Sequence, residues 1–329
     1  MANWEELPRE LLELIAQRLA IEDFLAFGGV CTSWRSAATK EMYDAKSKAP
    51  WPVTSTYKQM PEFCSPSRGR IYPVKSPGTR ARTLSPRGWM LLSNWDLGFR
   101  IFNLVSRVSI ELPAMDRLFS RSFLTVEQQG HKIDKIALSS SPSLSRSYAV
   151  MIAYHYDFGV PWLALHRSGE DAWRGVSPAT FLRLIEVLQL IYYDGPFRES
   201  RMESRLVLGQ KFEGRPYLVE CSGSLLVAWE TRGAEGIRFR VFEVDLEKGT
   251  QEEVESLGKA SLFLNDNSSF SMEFDATSCV PGFKPNHVYF TDYADEKKKK
   301  IYSMENGKVE TYSDATGLRH AGQWFQPDF

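Results

Sequence analysis

The stretch Trp4–Ala38 reads WEELPRELLELIAQRLAIEDFLAFGGVCTSWRSAA. Leu7, Leu11, Leu14, Ile15 and Leu19 recur three or four residues apart, which lays one apolar stripe along a helix. Pro8 stands near the start of that helix, where a missing N–H costs nothing. Glu5, Glu6 and Glu10 fall in or near the first turn, where negative charge suits the helix dipole. Asp23 is a candidate cap for a second short helix carrying Phe24, Leu25 and Phe27. Gly28 and Gly29 then weaken the helix and permit a turn. Val30 and Cys31 lead into a third helix, with Thr32 or Ser33 as N-cap and Trp34 on it. Chains below roughly 40 residues rarely stabilise alone. These helices should therefore bury their spare apolar surface against something else.

The pattern Leu7-Pro8, Glu10-Leu11-Leu12, Ile15, Leu19, Asp23-Phe24-Leu25 and Val30-Cys31-x-x-Trp34-Arg35 resembles an F-box in order and spacing. The resemblance implies docking to the Skp-type adaptor of a cullin-based (SCF-type) ubiquitin ligase. The residues it assigns to the adaptor are Leu7, Pro8, Leu11, Leu12, Ile15, Leu19, Phe24, Leu25, Val30, Cys31, Trp34 and Arg35. Some of these, Trp34 first, could instead hold the helices together. A competing reading is a non-SCF interaction module whose F-box helices pack in cis. The stripe Leu7/Leu11/Ile15 separates the two: partly exposed in a ligase receptor, buried on the downstream domain in a free module.

Composition sets bounds. The 329 residues suggest one to three domains, and a 43% hydrophobic content can fill a core. A formal charge of −1 offers no basic field for nucleic acid or an anionic membrane. No run of 18 apolar residues occurs to span a bilayer, and the N-terminus lacks a signal-peptide pattern. Cys31, Cys64, Cys221 and Cys279 lie far apart, as reduced thiols of a cytoplasmic or nuclear protein would.

Residues 1–43 form the helical unit. Residues 44–87 read as a proline-rich connector, partly packed through Trp51, Tyr57, Met60 and Phe63. From Gly88 to residue 329 the pattern is β. Trp89–Leu92, Phe99–Leu104, Tyr148–Tyr154, Ser224–Trp229, Phe239–Val244 and His287–Thr291 are among many short strands between turn residues, the mark of a sandwich or propeller. A unit recurring about every 40–50 residues favours the propeller.

Several pieces are also similar to a plant family with a KIB-type β-propeller: Gly88-Trp89-Met90-Leu91-Leu92, Lys135-Ile136-Ala137-Leu138-Ser139-Ser140-Ser141-Pro142, Tyr217 through Leu226, Ser256 through Leu264, Asn286 through Asp292, and Trp324-Phe325. The fold expected is mainly β: a three-helix F-box followed by a β-propeller, with one blade short of strands between Val176 and Tyr217. There the family register makes Leu184–Leu190 a strand, whereas Ser177-Pro178 and the Phe181, Leu184, Ile185, Leu188 spacing make a helix. The strand is the preferred reading.

No catalytic site is expected. None of His131, His155, His166, His287 and His320 has metal-ligand spacing, so no metal and no cofactor are assigned. GxxxxGK[ST], GxGxxG and GxSxG are missing from the sequence. Asp292 and Asp295 read as a solvated turn, Lys297–Lys300 as a charged hairpin tip or edge strand, and Ser139 to Ser147 as a polar loop. The partners implied by the resemblance are the adaptor, through it a cullin, and an unidentified target protein.

Overall fold

A computed structural model describes residues 4, 7–19, 21–39, 42, 49–54, 62–65, 70–73, 79–84, 88–94, 99–103, 108–114, 132–142, 145–155, 162–176, 204–205, 211–212, 214–245, 250–265, 269–274, 282–295, 298–312 and 323–327. Three helices open the chain: α1 (Arg9–Arg18), α2 (Ile21–Gly28) and α3 (Thr32–Ala37). The start of α1 falls where the sequence expectation puts it, and the starts of α2 and α3 differ from it. Pro8 is the N-cap of α1, and its carbonyl accepts from the Leu11 and Leu12 amides at 3.1 and 3.2 Å. Asp23 lies inside the first turn of α2. Cys31, extended and without a side-chain cap bond, precedes α3 in place of Thr32 or Ser33.

The rest is strand. Residues expected as a connector supply β1 (Trp51–Thr54), β2 (Glu62–Ser65), β3 (Arg70–Pro73) and β4 (Thr79–Leu84). The propeller thus begins at Trp51, not Gly88. Four-residue strands broken by prolines carry too few alternations to show a period. A second sheet joins β4 to β5 (Trp89–Asn94), β6 (Phe99–Asn103) and β7 (Ser109–Leu112). A third holds β8 (Lys132–Leu138), β9 (Ala149–His155), β10 (Trp162–Arg167) and β11 (Arg174–Val176). A two-stranded piece, β12 (Ser204–Arg205) with β13 (Lys211–Phe212), follows. The contested segment Leu184–Leu190 lies outside the described residues. Next come β14 (Arg215–Cys221), β15 (Ser224–Gly233), β16 (Gly236–Asp245) and β17 (Thr250–Val254). Ser222 and Gly223, both at positive φ, make the two-residue turn joining β14 to β15.

The last sheet runs β19 (Phe270–Glu273), β18 (Ala260–Phe263), β20 (His287–Asp292), β21 (Lys298–Ser303) and β22 (Val309–Thr311), with β18 and β20 parallel. The ring closes through β23 (Gln323–Phe325), which pairs with β1: Trp51 faces Phe325 and Pro52 faces Trp324. The Asn265 carboxamide clamps this strand. Its Nδ2 donates to the Trp324 carbonyl at 2.9 Å, and its Oδ1 accepts from the Trp324 amide at 2.6 Å. Lys299 donates to the Gln323 carbonyl at 2.9 Å and sits 3.9 Å above the Trp324 ring. Trp324 is surrounded by Phe263, Phe283, Tyr289 and Tyr312.

A polar network ties the last two sheets together. Arg232 donates from Nε to Glu230 at 2.7 Å and from Nη1 to Asp292 at 2.8 Å. Tyr217 Oη donates to Glu230 at 2.9 Å, and Lys300 reaches Asp292 at 2.8 Å and Asp295 at 2.9 Å. Gly214 is required beside it, because a Cβ there would lie 2.2 Å from the Glu230 carbonyl oxygen.

Burial alone would raise the Asp292 carboxyl, but hydrogen bonds from Lys300 and Arg232 outweigh it and hold the group below its ordinary value of 3.8. A carboxyl lowered on folding adds stability above its unfolded value and loses it as pH falls through the folded value. Melting temperature should therefore drop below about pH 4 more steeply in the wild type than in Asp292→Asn. Parallel pH profiles would remove this network from the stability account.

Candidate functional site

With 3.6 residues per turn, the apolar positions of α1 spread over about half its circumference. That is wider than one interface needs, and the helix divides it. Leu12 and Ala16 are 1% and 0% exposed. Leu11, Leu14 and Ile15, on the adjoining arc, are 47%, 50% and 39% exposed. The buried arc belongs to one contiguous cluster with Ile21, Phe24, Phe27 and Ala37 of the helices, Trp51, Val53 and Phe325 of the closing sheet, and Met90 and Leu92 of β5. Leu7, Leu19 and Trp34 pack partly against it. The helices are thus seated on the propeller in cis by one face, while a second apolar face remains in solvent.

The twelve sequence-assigned residues divide accordingly. Pro8, Leu11, Ile15, Val30 and Arg35 are exposed. Leu7, Leu19, Cys31 and Trp34 are half-buried. Leu12 and Phe24 are buried, so they hold the helices to the propeller and present no surface to a partner. The Leu25 side chain lies outside the described residues. Trp34 packs on Phe27 in a tilted arrangement with ring centroids 4.5 Å apart and donates from Nε1 to the Trp4 carbonyl at 3.0 Å. Arg35 Nε donates to the Gly28 carbonyl at 3.1 Å, satisfying a C-terminal carbonyl of α2. Both therefore brace the three-helix unit. Leu14, left out of the sequence assignment, belongs to the exposed face; its place beside Leu11 on the helical wheel was the available signal. Of the large apolar side chains exposed among the described residues, Trp4, Leu11, Leu14, Ile15 and Val30 fall in this unit, and only Tyr293 and Val309 lie elsewhere.

The other candidates have partners of their own. Asp292 and Asp295 are both engaged by Lys300. β21 is an interior strand between β20 and β22, so its lysines guard no edge: Lys298 pairs with Asp295, and Lys299 lies under Trp324. Lys297 is outside the described residues. His166 is buried against Trp173, and burial lowers its pKa. His287 Nδ1 lies 2.6 Å from the Pro285 carbonyl. His131 and His320, and the side chain of His155, are outside the described residues. Ser139, Ser140 and Ser145 bond within their own loop, and Ser141 accepts from Trp89 Nε1 at 3.1 Å. A cavity of about 300 Å³ beside them is lined by Ser139, Ser147, Tyr148, Arg167, Ser168 and Glu170, with neither His nor Cys in its wall. Among the described residues no three His, Cys, Asp or Glu come together as a metal site.

Comparison with known families fits this layout. The F-box domain model matches residues 4–45, and the KIB1-4 β-propeller model matches residues 63–313. The chain is an F-box protein of the KIB1-4 β-propeller family. Its relatives include an F-box/kelch-repeat protein of Arabidopsis thaliana, 24% identical over 93% of this chain and 88% of that one. A putative F-box protein of the same plant is 24% identical over 89% and 88%. A Bacteroides caccae protein of unknown function overlaps at 12% identity and a TM-score of 0.35, over 84% of this chain and 98% of that one. An F-box followed by a propeller is the architecture of substrate adaptors in SCF-type ligases and is typically non-enzymatic.

The division of α1 sets two outcomes apart. Leu12→Ala should lower unfolding free energy by about 2–5 kcal/mol, and Leu11→Ala should change it by less than about 0.5 kcal/mol. Denaturant titration of both variants checks this. An equal loss would mean that the Leu11 face is packed too.

Proposed function

We propose that this F-box protein docks to a Skp-type adaptor through the exposed face of α1, namely Leu11, Leu14 and Ile15, together with Pro8 at its start and the exposed Val30 of the same three-helix unit. Through the adaptor it joins a cullin, and its propeller holds a target protein close to the ubiquitin-carrying enzyme. The observation that carries the reading is the contrast along one helix: Leu12 and Ala16 are buried while Leu11 and Ile15 stay in water. A free module packed in cis would bury Leu11 and Ile15 as well. Cis packing is present, but it uses the other arc, so it competes with nothing at the adaptor face.

The proposed contribution is proximity. Holding a target beside the transfer enzyme raises the effective concentration of its lysines. No bond-making step is assigned to this chain, and no cofactor is needed for the role. The location we infer is the cytoplasm or nucleus, in keeping with the free thiols of Cys31 and Cys221.

Titrating purified chain with a plant Skp-type adaptor in a calorimeter tests the docking. Two central anchors at about 2 kcal/mol or more each predict that Leu11→Asp/Ile15→Asp weakens binding by at least about 100-fold. Its melting temperature should match that of the wild type. Binding at full strength by this variant would overturn the assignment.

A further inference from the structure

We infer that adaptor docking is conditional on ring closure, because the F-box helices share their core with the strand that closes the propeller. The inference rests on the adaptor-docking reading above for its consequence, but not for its structural basis. α1, α2 and α3 have only ten, eight and six residues. Neither α1 nor α3 has a side-chain N-cap bond. Helices this short are marginal in water without tertiary packing, so their persistence depends on what they are packed against.

Much of that support is β23 and its partner β1. Successive side chains of a strand point to opposite faces, and β23 uses both. Trp324 enters the aromatic cluster of the last sheet, with Phe263, Phe270, Phe283 and Tyr289. Phe325 enters the F-box cluster, with Leu12, Ala16, Phe24 and Phe27. Trp51 opposite it does the same, its ring 6.2 Å from that of Phe325. Three residues of strand therefore serve the last sheet, the first sheet and the helices at once. Besides its ladder with β1, the strand is held by side-chain bonds from Asn265 and Lys299 on the side of the last sheet, and neither of these belongs to the helix cluster.

A chain whose ring has not closed would leave Leu12, Phe24 and Phe27 without Phe325 and the paired Trp51. The helices would then lose the packing that fixes Leu11 and Ile15 side by side. By linkage, an adaptor that binds the ordered helices stabilises the closed ring, and a closed ring favours the adaptor. The arrangement makes the ligase engage complete propellers in preference to open ones.

Native-state hydrogen exchange on the full chain tests this without requiring any variant to fold. The amides of α1, α2 and α3 and those of Trp51, Val53 and Gln323–Phe325 should open with one shared free energy. Lys299→Met, which removes the bond to the Gln323 carbonyl, should speed exchange at the closing strand and at the helices alike, by at least about tenfold. Saturating adaptor should slow both. Val219→Ala, in β14 and remote from the closure, should leave the two segments moving together. The inference fails if the helices open independently of Gln323–Phe325, or if Lys299→Met loosens the strand and leaves the helices unchanged. Failure of the adaptor to bind wild-type chain would overturn the docking reading instead, and the shared opening would still be decided by exchange in the free chain.

Discussion

A propeller is a sheet series bent into a ring, and its weak point is the seam where the last segment must find the first. Here the seam is a three-residue strand. Its ladder with β1 is too short to hold by backbone bonds alone, so the last sheet supplies a second edge made of one side chain. The Asn265 carboxamide offers a donor and an acceptor to the Trp324 peptide, as a neighbouring strand would. It can do so cheaply because the site is buried and both of its partners are satisfied. Lys299 completes the seat from the other side with a charge-assisted bond to a carbonyl and its ammonium over the indole face.

The helices depend on the same seam. An apolar arc of half a helix normally signals burial on all sides of a core. In α1 it instead serves two surfaces, one laid on the propeller and one left in water. The energetic consequence is asymmetric. Leu12 contributes to folding, whereas the half-exposed Leu11, Leu14 and Ile15 contribute little to it. They can be explained by association, since contiguous exposed apolar surface on a soluble chain usually marks an interface.

Legibility in the sequence followed side-chain periodicity. The long strands were readable for two reasons: Ser224–Gly233 carries an unbroken run of buried residues, and Gly236–Asp245 largely alternates buried with exposed positions. β17, Thr250–Val254, was not, since no residue in it is buried and its pattern is that of a polar loop. β1 to β3 were hidden by Pro52, Pro61, Pro66 and Pro73, which read as punctuation although Pro52 lies within a strand and Pro73 ends one. The F-box motif gave the set of residues at stake but not their division: Leu11 and Leu12 are chemically identical neighbours, and only the position of the propeller decides which of them is buried. The lysines of β21 show the same limit. Their charge suggests a hairpin tip or an edge; β21 does follow the turn of the β20–β21 hairpin, but it is no edge, and Lys299 and Lys300 are taken up by Trp324, Gln323, Asp292 and Asp295, contacts that no local pattern reveals.

The central claim is that α1 presents one arc to the propeller and the other to the adaptor. Methyl-resolved NMR of the full chain, labelled at Leu, Ile and Val and titrated with Skp-type adaptor, tests it residue by residue. The account predicts that the methyls of Leu11, Leu14, Ile15 and Val30 shift or broaden on binding, while those of Leu12 and Ile21 stay in place. Unperturbed Leu11 and Ile15 signals in the presence of bound adaptor, or changes confined to the buried arc, would contradict it.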